Sequence, residues 1–164
     1  MRNAFLMAVA CLGLGAAVGA AAQAPLELAD VSDTIEKTGG GDPLGFSVRA
    51  PKGATAVPKL MPHVRGFGRD VPGGRISINL TRYADPMGDI NGIIKYKASL
   101  YGGLDAQQEV EKGSYFLAVL KPQGGLQSVF AFKKAAAGYL EMECIGPPSQ
   151  AAVLKEACAS LKLR

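Results

Sequence analysis

The fold is decided by the C-terminal stretch 115–164, which reads YFLAVLKPQGGLQSVFAFKKAAAGYLEMECIGPPSQAAVLKEACASLKLR. Three segments of this stretch are rich in aromatic and branched side chains, which predicts three β-strands. Between them, residues 121–125 (KPQGG) and 134–138 (KAAAG) favour turns, because proline presets φ and glycine permits φ > 0. Strands joined by such short turns predict an antiparallel meander.

The last of these strands, 139–145, alternates strictly between apolar and charged side chains. Leu140, Met142 and Cys144 fall on one face, and Glu141 and Glu143 fall on the other. Alternation of this kind is typical of a half-buried strand. We therefore expect one face to pack on the core and the glutamate face to be solvated.

A helix is predicted after this strand. Pro147 and Pro148 end the strand because neither can donate to a ladder, and the hydroxyl of Ser149 suits a helix N-cap. Apolar side chains then recur at helical spacing on one face. They are Val153, Leu154, Ala157, Cys158 and Leu161. The sequence therefore predicts an amphipathic helix that folds back on the sheet.

Two cysteines fall on the predicted inward faces, Cys144 on the strand and Cys158 on the helix. A helix that folds back on its own strand brings them together. A disulfide there would close a loop of roughly 15 residues, worth about 3 kcal/mol in the chain-entropy model. The alternative is a pair of buried free thiols, and the redox compartment decides between the two.

The N-terminus predicts export. A basic start at Arg2 precedes an uncharged, Ala- and Leu-rich run over 4–22, as in a secretory signal peptide. We expect cleavage after Ala22; a cut after Ala24 also fits but places proline first in the mature chain. An uncleaved anchor fits the Gly-rich second half less well, and the residues before Cys11 do not suit a lipoprotein signal. Cleavage removes Cys11 and leaves an even pair in an oxidising compartment, which predicts a Cys144–Cys158 disulfide in a periplasmic or secreted protein.

The remaining length and charge fit one small domain. Removing 22 of the 164 residues leaves 142, enough for a true hydrophobic core. Of the 18 Lys and Arg residues one is Arg2, so 17 remain against 14 acidic residues, a net charge of +3. This mild, dispersed charge gives no reason to expect nucleic-acid binding, and no second apolar segment is long enough to span a membrane. The predicted organisation is signal peptide 1–22, flexible arm 23–44 and a single domain over 45–164.

The middle of the chain completes an α+β pattern. Residues 46–50 and 64–69 predict short strands, and 75–83 predict a long one with Ile76, Ile78 and Leu80 facing inward. Asp89 is placed to cap a helix that runs to about Leu100 and ends at two glycines. The predicted fold class is therefore α+β, an antiparallel meander sheet packed by two or three helices.

This order of elements resembles the PsbP-like and DcrB-like group of α/β/α sandwiches. The residues that carry the resemblance are 45–53 (GFSVRAPKG), 138–140 (GYL) and 159–162 (ASLK), which are short packing motifs. The resemblance implies a PsbP-like sandwich and an accessory or envelope protein, with no shared catalytic residues to carry over. The cysteine pair is not a general feature of that group.

One surface suggests a ligand. In residues 65–69 (RGFGR), Arg65 and Arg69 flank Phe67 on a thin glycine backbone, a combination that can grip an anionic glycan or lipid headgroup. The alternative is an exposed edge strand with solvated arginines.

Other candidate chemistry has a simpler explanation. His63 is the only histidine, so a two-histidine metal site cannot form, and its turn-like context indicates a surface loop. Asp85, Asp89 and Asn91 precede a glycine as in some Ca²⁺ loops, but helix capping explains them better. We expect no catalytic residues, metal or cofactor, and an accessory or binding protein of the cell envelope. Its partner would be an envelope protein, an anionic glycan or a lipid; the alternative is a small periplasmic enzyme with an unrecognised site.

Overall fold

A computed structural model describes residues 26–31, 45–57 and 63–163. The predicted signal peptide and most of the predicted arm lie outside these residues. Within them, no helix combines the length and the apolar character needed to cross a membrane.

Short strands precede a longer series of strands and helices. In chain order the elements are β1 (Leu28–Asp30), β2 (Phe46–Ser47), β3 (Arg49–Pro51), β4 (Thr55–Ala56), β5 (Val64–Val71), β6 (Gly74–Tyr83), α1 (Ile90–Leu100), β7 (Leu104–Glu111), β8 (Tyr115–Leu120), β9 (Gln127–Lys134), β10 (Tyr139–Gly146), a 3-10 turn (Pro148–Gln150), α2 (Ala151–Ala159) and β11 (Lys162–Leu163).

Seven of these strands form one antiparallel sheet in the order β4-β5-β6-β10-β9-β8-β7. Strands β7 to β10 are a four-stranded meander, which confirms the predicted meander and adds one strand to it. The β5–β6 hairpin joins the meander through β6 and β10, and their register aligns Ile78 with Cys144. Sequentially distant segments therefore share one continuous sheet.

Each face of the sheet carries its own core and one helix. On one face, α2 packs through Leu154, Ala157 and Cys158 onto a cluster from β5, β6, β8, β9 and β10. On the other, α1 packs through Ile94 and Ala98 onto a smaller cluster from β8 and β9. The strict alternation of side chains along the strands separates the two clusters. The result is an α/β/α sandwich, and the predicted α+β fold class is confirmed.

Local signals set the ends of α1. The Asp89 carboxylate accepts a hydrogen bond from the Asn91 backbone N–H at 3.1 Å, as predicted for an N-cap. The helix ends where Gly102 and Gly103 adopt φ of 86° and 107°, values that side chains other than glycine disfavour. The Gly103 N–H then bonds the Ala98 carbonyl at 2.8 Å and satisfies the helix end.

The start of α2 differs from the prediction. Ser149 does not cap the helix; it lies in the 3-10 turn, and the helix itself begins at Ala151. Gln150 occupies the N-cap position without a side-chain hydrogen bond to the helix. Because Pro147 and Pro148 fix φ at the corner, the chain continues directly into helical turns, and the 3-10 turn takes the place of a side-chain cap.

The N-terminal segments also differ from the predictions. Leu28–Asp30, placed in a flexible arm by the sequence, forms β1 and pairs antiparallel with β3. The predicted strand 46–50 is split into two short strands outside the main sheet, and β2 pairs with β11 at the C-terminus. Leu26, Leu28 and Val31 pack against the α2-side core, and this apolar burial holds the segment in place.

Candidate functional site

A group of interacting ionisable side chains lies on the α1 side of the sheet. Glu141 and Glu143 of β10 point to this face, level in register with Phe132 and Phe130 of β9. The expectation of a solvated glutamate face is wrong for Glu141, which is 7% exposed. Helix α1 crosses this face and covers it.

Lys97 of α1 meets Glu141 across this interface. The Lys97 ammonium donates to Glu141 Oε1 at 2.6 Å, with side-chain exposures of 20% and 9%. The same ammonium lies 5.1 Å from the centre of the Phe130 ring, close enough for a cation–π contact. The stem of Lys97 therefore packs on the apolar face of α1 while its charge neutralises a buried carboxylate.

Burial changes the acidity of this carboxylate. Desolvation raises the pKa of Glu141 above the 4.5 of an exposed glutamate, and the nearby Glu143 charge adds to the rise. The hydrogen bond and positive charge of Lys97 act in the opposite direction without reversing it. The effect of desolvation on the pKa of Glu141 therefore outweighs the effect of its attraction to Lys97.

Glu143 occupies the next inward position on the same face. The Asn79 amide of β6 donates to Glu143 Oε2 at 3.4 Å, at the long end of hydrogen-bond distances. Glu143 Oε1 is buried and accepts no hydrogen bond from the described residues. Burial, followed by the Glu143 charge, raises the pKa of Tyr101 at the end of α1. The carboxylate therefore lies between a strand and the helix end.

Two stacked tyrosines lie near Glu141 on the same side of the sheet. The rings of Tyr83 and Tyr139 stack with centroids 4.6 Å apart and planes 13° from parallel. Burial raises the pKa of both phenols, and nearby negative groups add to the effect. The neighbouring Gly138 has φ of 79°, and a side chain there would collide with the Tyr83 carbonyl. Only glycine allows the strands to approach closely enough for this stack.

The chemistry of this cluster, defined as Lys97, Glu141, Glu143, Tyr101 and Asn79, is that of an interface between helix and sheet. Glu141, the carboxyl group with the raised pKa, already forms an ion pair with Lys97. Across the described ranges, no group of three His, Cys, Asp or Glu side chains is arranged to hold a metal ion. The arrangement fixes α1 on the sheet and leaves Glu143 as its least satisfied carboxylate. No sequence pattern indicates this cluster, because alternation alone does not show which face a helix will cover.

The structure brings the two predicted cysteines together. Cys144 and Cys158 are completely buried, and their sulfur atoms lie 2.6 Å apart without a bond between them. The Cys158 thiol also approaches the Val129 carbonyl at 3.2 Å. Burial is the main cause that raises the pKa of Cys144, which makes this thiol less reactive in the folded protein. The disulfide itself stays a prediction.

The predicted anion-binding residues lie on β5, which is covered on its outer side by β4. Arg65, Phe67 and Arg69 alternate with glycines and align with the core positions Leu80, Ile78 and Ile76 of β6. Arg65 is 3% exposed and Phe67 is 2% exposed. Arg69 is half-buried and donates to the Lys52 carbonyl. The three side chains thus point toward the α2-side core, which does not favour an exposed anion site.

The remaining candidates lie apart. His63 is exposed, and its backbone carbonyl accepts a hydrogen bond from the Arg82 N–H at 3.0 Å. Asp85 is exposed, and Asp89 caps α1. A surface cavity of about 400 Å³ lies beside the C-terminal end of α2. There Arg49 pairs with Glu156 at 2.8 Å, and its wall also holds Asp30 and Lys162, so opposite charges balance.

Comparison with known proteins identifies the fold. No protein family model and no curated protein matches the chain. The solution structure of cyanobacterial PsbP (CyanoP) from Synechocystis sp. PCC 6803 is similar, with a TM-score of 0.55 and 14% identity over 92% of this chain and 99% of that one. A crystal structure from Bacteroides thetaiotaomicron VPI-5482 has a TM-score of 0.46 and 16% identity over 73% of this chain and 45% of that one. The fold is PsbP-like, as the sequence resemblance implied.

Proposed function

From the PsbP-like fold, we propose that this chain is an exported accessory or binding protein of the cell envelope, without catalysis of its own. The observation that carries the proposal is the similarity to cyanobacterial PsbP over nearly the whole of both chains. The sequence resemblance to the PsbP-like and DcrB-like group implies the same class, because its members are accessory or envelope proteins. Fold alone does not assign function, so the proposal also depends on what the polar groups of the structure do.

The positions of the ionisable groups with perturbed pKa values support a protein without catalysis of its own. In enzymes, groups with perturbed pKa values commonly line a cleft and face the substrate. Here Glu141 is bonded to Lys97 between helix and sheet. The buried Tyr115 hydroxyl, whose pKa burial raises strongly, donates to the Cys158 carbonyl at 2.6 Å and ties β8 to α2. These groups stabilise the packing of the two helices, which suits a scaffold that presents a surface to a partner.

Export is tested by expressing the full-length chain in a Gram-negative bacterium. We expect the protein in the osmotic-shock fraction, with an N-terminal sequence that begins at Gln23. A Leu6→Arg/Leu12→Arg variant, which interrupts the apolar run, should stay in the cytoplasm with its N-terminus intact. Recovery of the unaltered full-length chain in the cytoplasm would contradict export.

The accessory role is tested by crosslinking a tagged mature chain in intact envelopes, followed by mass spectrometry. We expect one crosslinked species of defined mass that contains a second envelope protein. Tagged maltose-binding protein, exported by the same signal, serves as the control for random encounters. Recovery of the chain as an uncrosslinked monomer at all crosslinker concentrations would contradict a stable protein partner.

A further inference from the structure

Strand β7 leaves one edge of the main sheet unpaired in the described part of the chain. It is the last strand in the sheet order, and all eight of its residues are exposed. The opposite edge strand, β4, has only two residues. An unpaired edge presents N–H and C=O groups to solvent at a spacing that a further strand can match. Strand β7 therefore has the length and exposure needed for strand addition.

The charges on β7 disfavour pairing with a second copy. The strand contains Asp105, Glu109 and Glu111 and no Lys, Arg or Pro. Glu111 is paired with Lys133 at 2.7 Å, and Glu109 accepts a hydrogen bond from the Gly113 N–H. Two copies paired through this edge would bring acidic strands together, and like charges opposite each other destabilise a sheet. Two register shifts, after Leu104 and after Glu109, also limit indiscriminate pairing. A basic strand would instead find complementary charge.

A pocket of about 280 Å³ lies beside the same edge. Its lining combines the strand with β8 and α2: Ala106, Gln107, Gln108, Leu117, Val119 and Lys155. In register, Ala106 and Gln108 lie level with Val119 and Leu117, on the face that packs against α2. Leu117 and Val119 supply apolar lining, while Gln107, Gln108 and Lys155 supply polar lining. This pocket can take an apolar side chain.

The two faces of β7 therefore favour different side chains on an added strand. Glu109 lies level with Phe116, on the α1 side of the sheet, whereas Ala106 and Gln108 lie on the α2 side with the pocket. Since successive side chains of a strand point to opposite faces, an added strand with alternating basic and apolar residues satisfies both. The basic residues meet Glu109, and an apolar residue enters the pocket. Strand addition commonly takes affinity from main-chain bonds and specificity from such pockets.

We propose that the β7 edge binds an extended, basic segment of a partner protein by strand addition, with an apolar side chain in the pocket beside α2. This inference rests on the proposed accessory function and names the chemistry of the partner.

The first test uses a synthetic eight-residue peptide of alternating Lys and Val and a twin in which Glu replaces Lys. We expect the Lys peptide to bind the mature protein and to protect β7 amides from hydrogen exchange, while the Glu twin does not. Asp105→Asn/Glu109→Gln should weaken binding about fivefold, as expected for two lost cross-strand charge pairs. Asp85→Asn/Glu156→Gln removes two exposed carboxylates elsewhere and should leave the affinity unchanged.

The second test separates strand addition from simple charge attraction. Only alternate N–H groups of an added strand face β7, so N-methylation of one alternate set should abolish binding and methylation of the other set should preserve it. Ala106→Phe fills the pocket from an exposed position and should weaken binding roughly tenfold, the loss expected for one valine no longer buried. Equal binding by both N-methylated peptides would overturn strand addition.

Other outcomes are equally decisive. Equal binding of the Lys and Glu peptides would overturn the charge argument. A concentration-dependent dimer in sedimentation, abolished by an Ala106→Pro change, would assign the edge to a second copy. If a crosslinked envelope partner persists with the Asp105→Asn/Glu109→Gln/Ala106→Phe variant, the accessory function stands and the edge assignment falls. Absence of any partner for the unaltered chain would instead overturn the proposed function.

Discussion

The Lys97 ammonium and the Glu141 carboxylate form a 2.6 Å ion pair that joins the first helix to the tenth strand, 44 residues apart in sequence. Glu141 is nearly fully buried, and Lys97 reaches it along the ring of Phe130. A charge so far removed from water is tolerated only with its partner in place. The ion pair therefore contributes to holding α1 on the sheet.

Removing one member of this pair should be costly. We expect Lys97→Met to lower the free energy of unfolding by about 2–4 kcal/mol, because it leaves the Glu141 charge buried without a cation. Urea denaturation measures the change. The control is Lys95→Met, an exposed lysine on the same helix, which should change stability by less than about 0.5 kcal/mol. Equal stability of the two variants would show that the pair does not hold α1.

The raised pKa of Glu141 predicts the sign of a pH dependence. The folded protein holds this proton more tightly than the unfolded chain, so the carboxyl group favours folding below pH 4.5. That contribution is lost as the pH rises from 4.5 through the raised pKa. The unaltered protein should therefore lose stability relative to Glu141→Gln across this range, measured by urea denaturation at successive pH values. A difference that grows in the other direction would mean that Lys97 lowers the pKa below its ordinary value.

The cysteine pair predicts a disulfide in the exported protein. After signal cleavage removes Cys11, we expect the denatured mature chain to label no thiols before reduction and two after it. Reduction should lower stability by about 2–4 kcal/mol without abolishing the fold, because the sandwich has its own core. A Cys144→Ala/Cys158→Ala variant controls for labelling background. Two labelled thiols before reduction would show that Cys144 and Cys158 stay reduced.

The anion-binding prediction for Arg65, Phe67 and Arg69 is tested by separating stability from binding. Since Arg65 is buried, we expect Arg65→Ala to lower the melting temperature, consistent with a loss of about 1–3 kcal/mol. Arg69→Ala should leave binding to vesicles containing anionic lipid unchanged. Lost vesicle binding with an unchanged melting temperature in Arg65→Ala/Arg69→Ala would instead support a surface site.

Features with a strong local signal were predictable. Ile76, Ile78 and Leu80 alternate along β6 and are all buried, and Asp89 caps α1 as its position before an apolar helix indicated. Short segments carry too few residues for such a pattern. Leu28–Asp30 is a strand because β3 pairs with it, and the predicted strand 46–50 is split because β2 pairs with β11 while β3 pairs with β1; none of these partners is visible in the local sequence.

The sequence by itself determined which residues share a face. The two-residue period of β10 placed Glu141 and Cys144 on opposite faces of the strand. The 3.6-residue period of α2 placed Cys158 on its inner side, and the two sulfurs therefore lie close together. Tertiary structure decided what covers each face. Whether Glu141 meets water or Lys97 depends on the path of α1. Whether Arg65 points to solvent or to the core depends on the register of β5 with β6. Periodicity is a property of one segment, whereas burial is a property of two segments in contact, and only the assembled fold fixes the second segment.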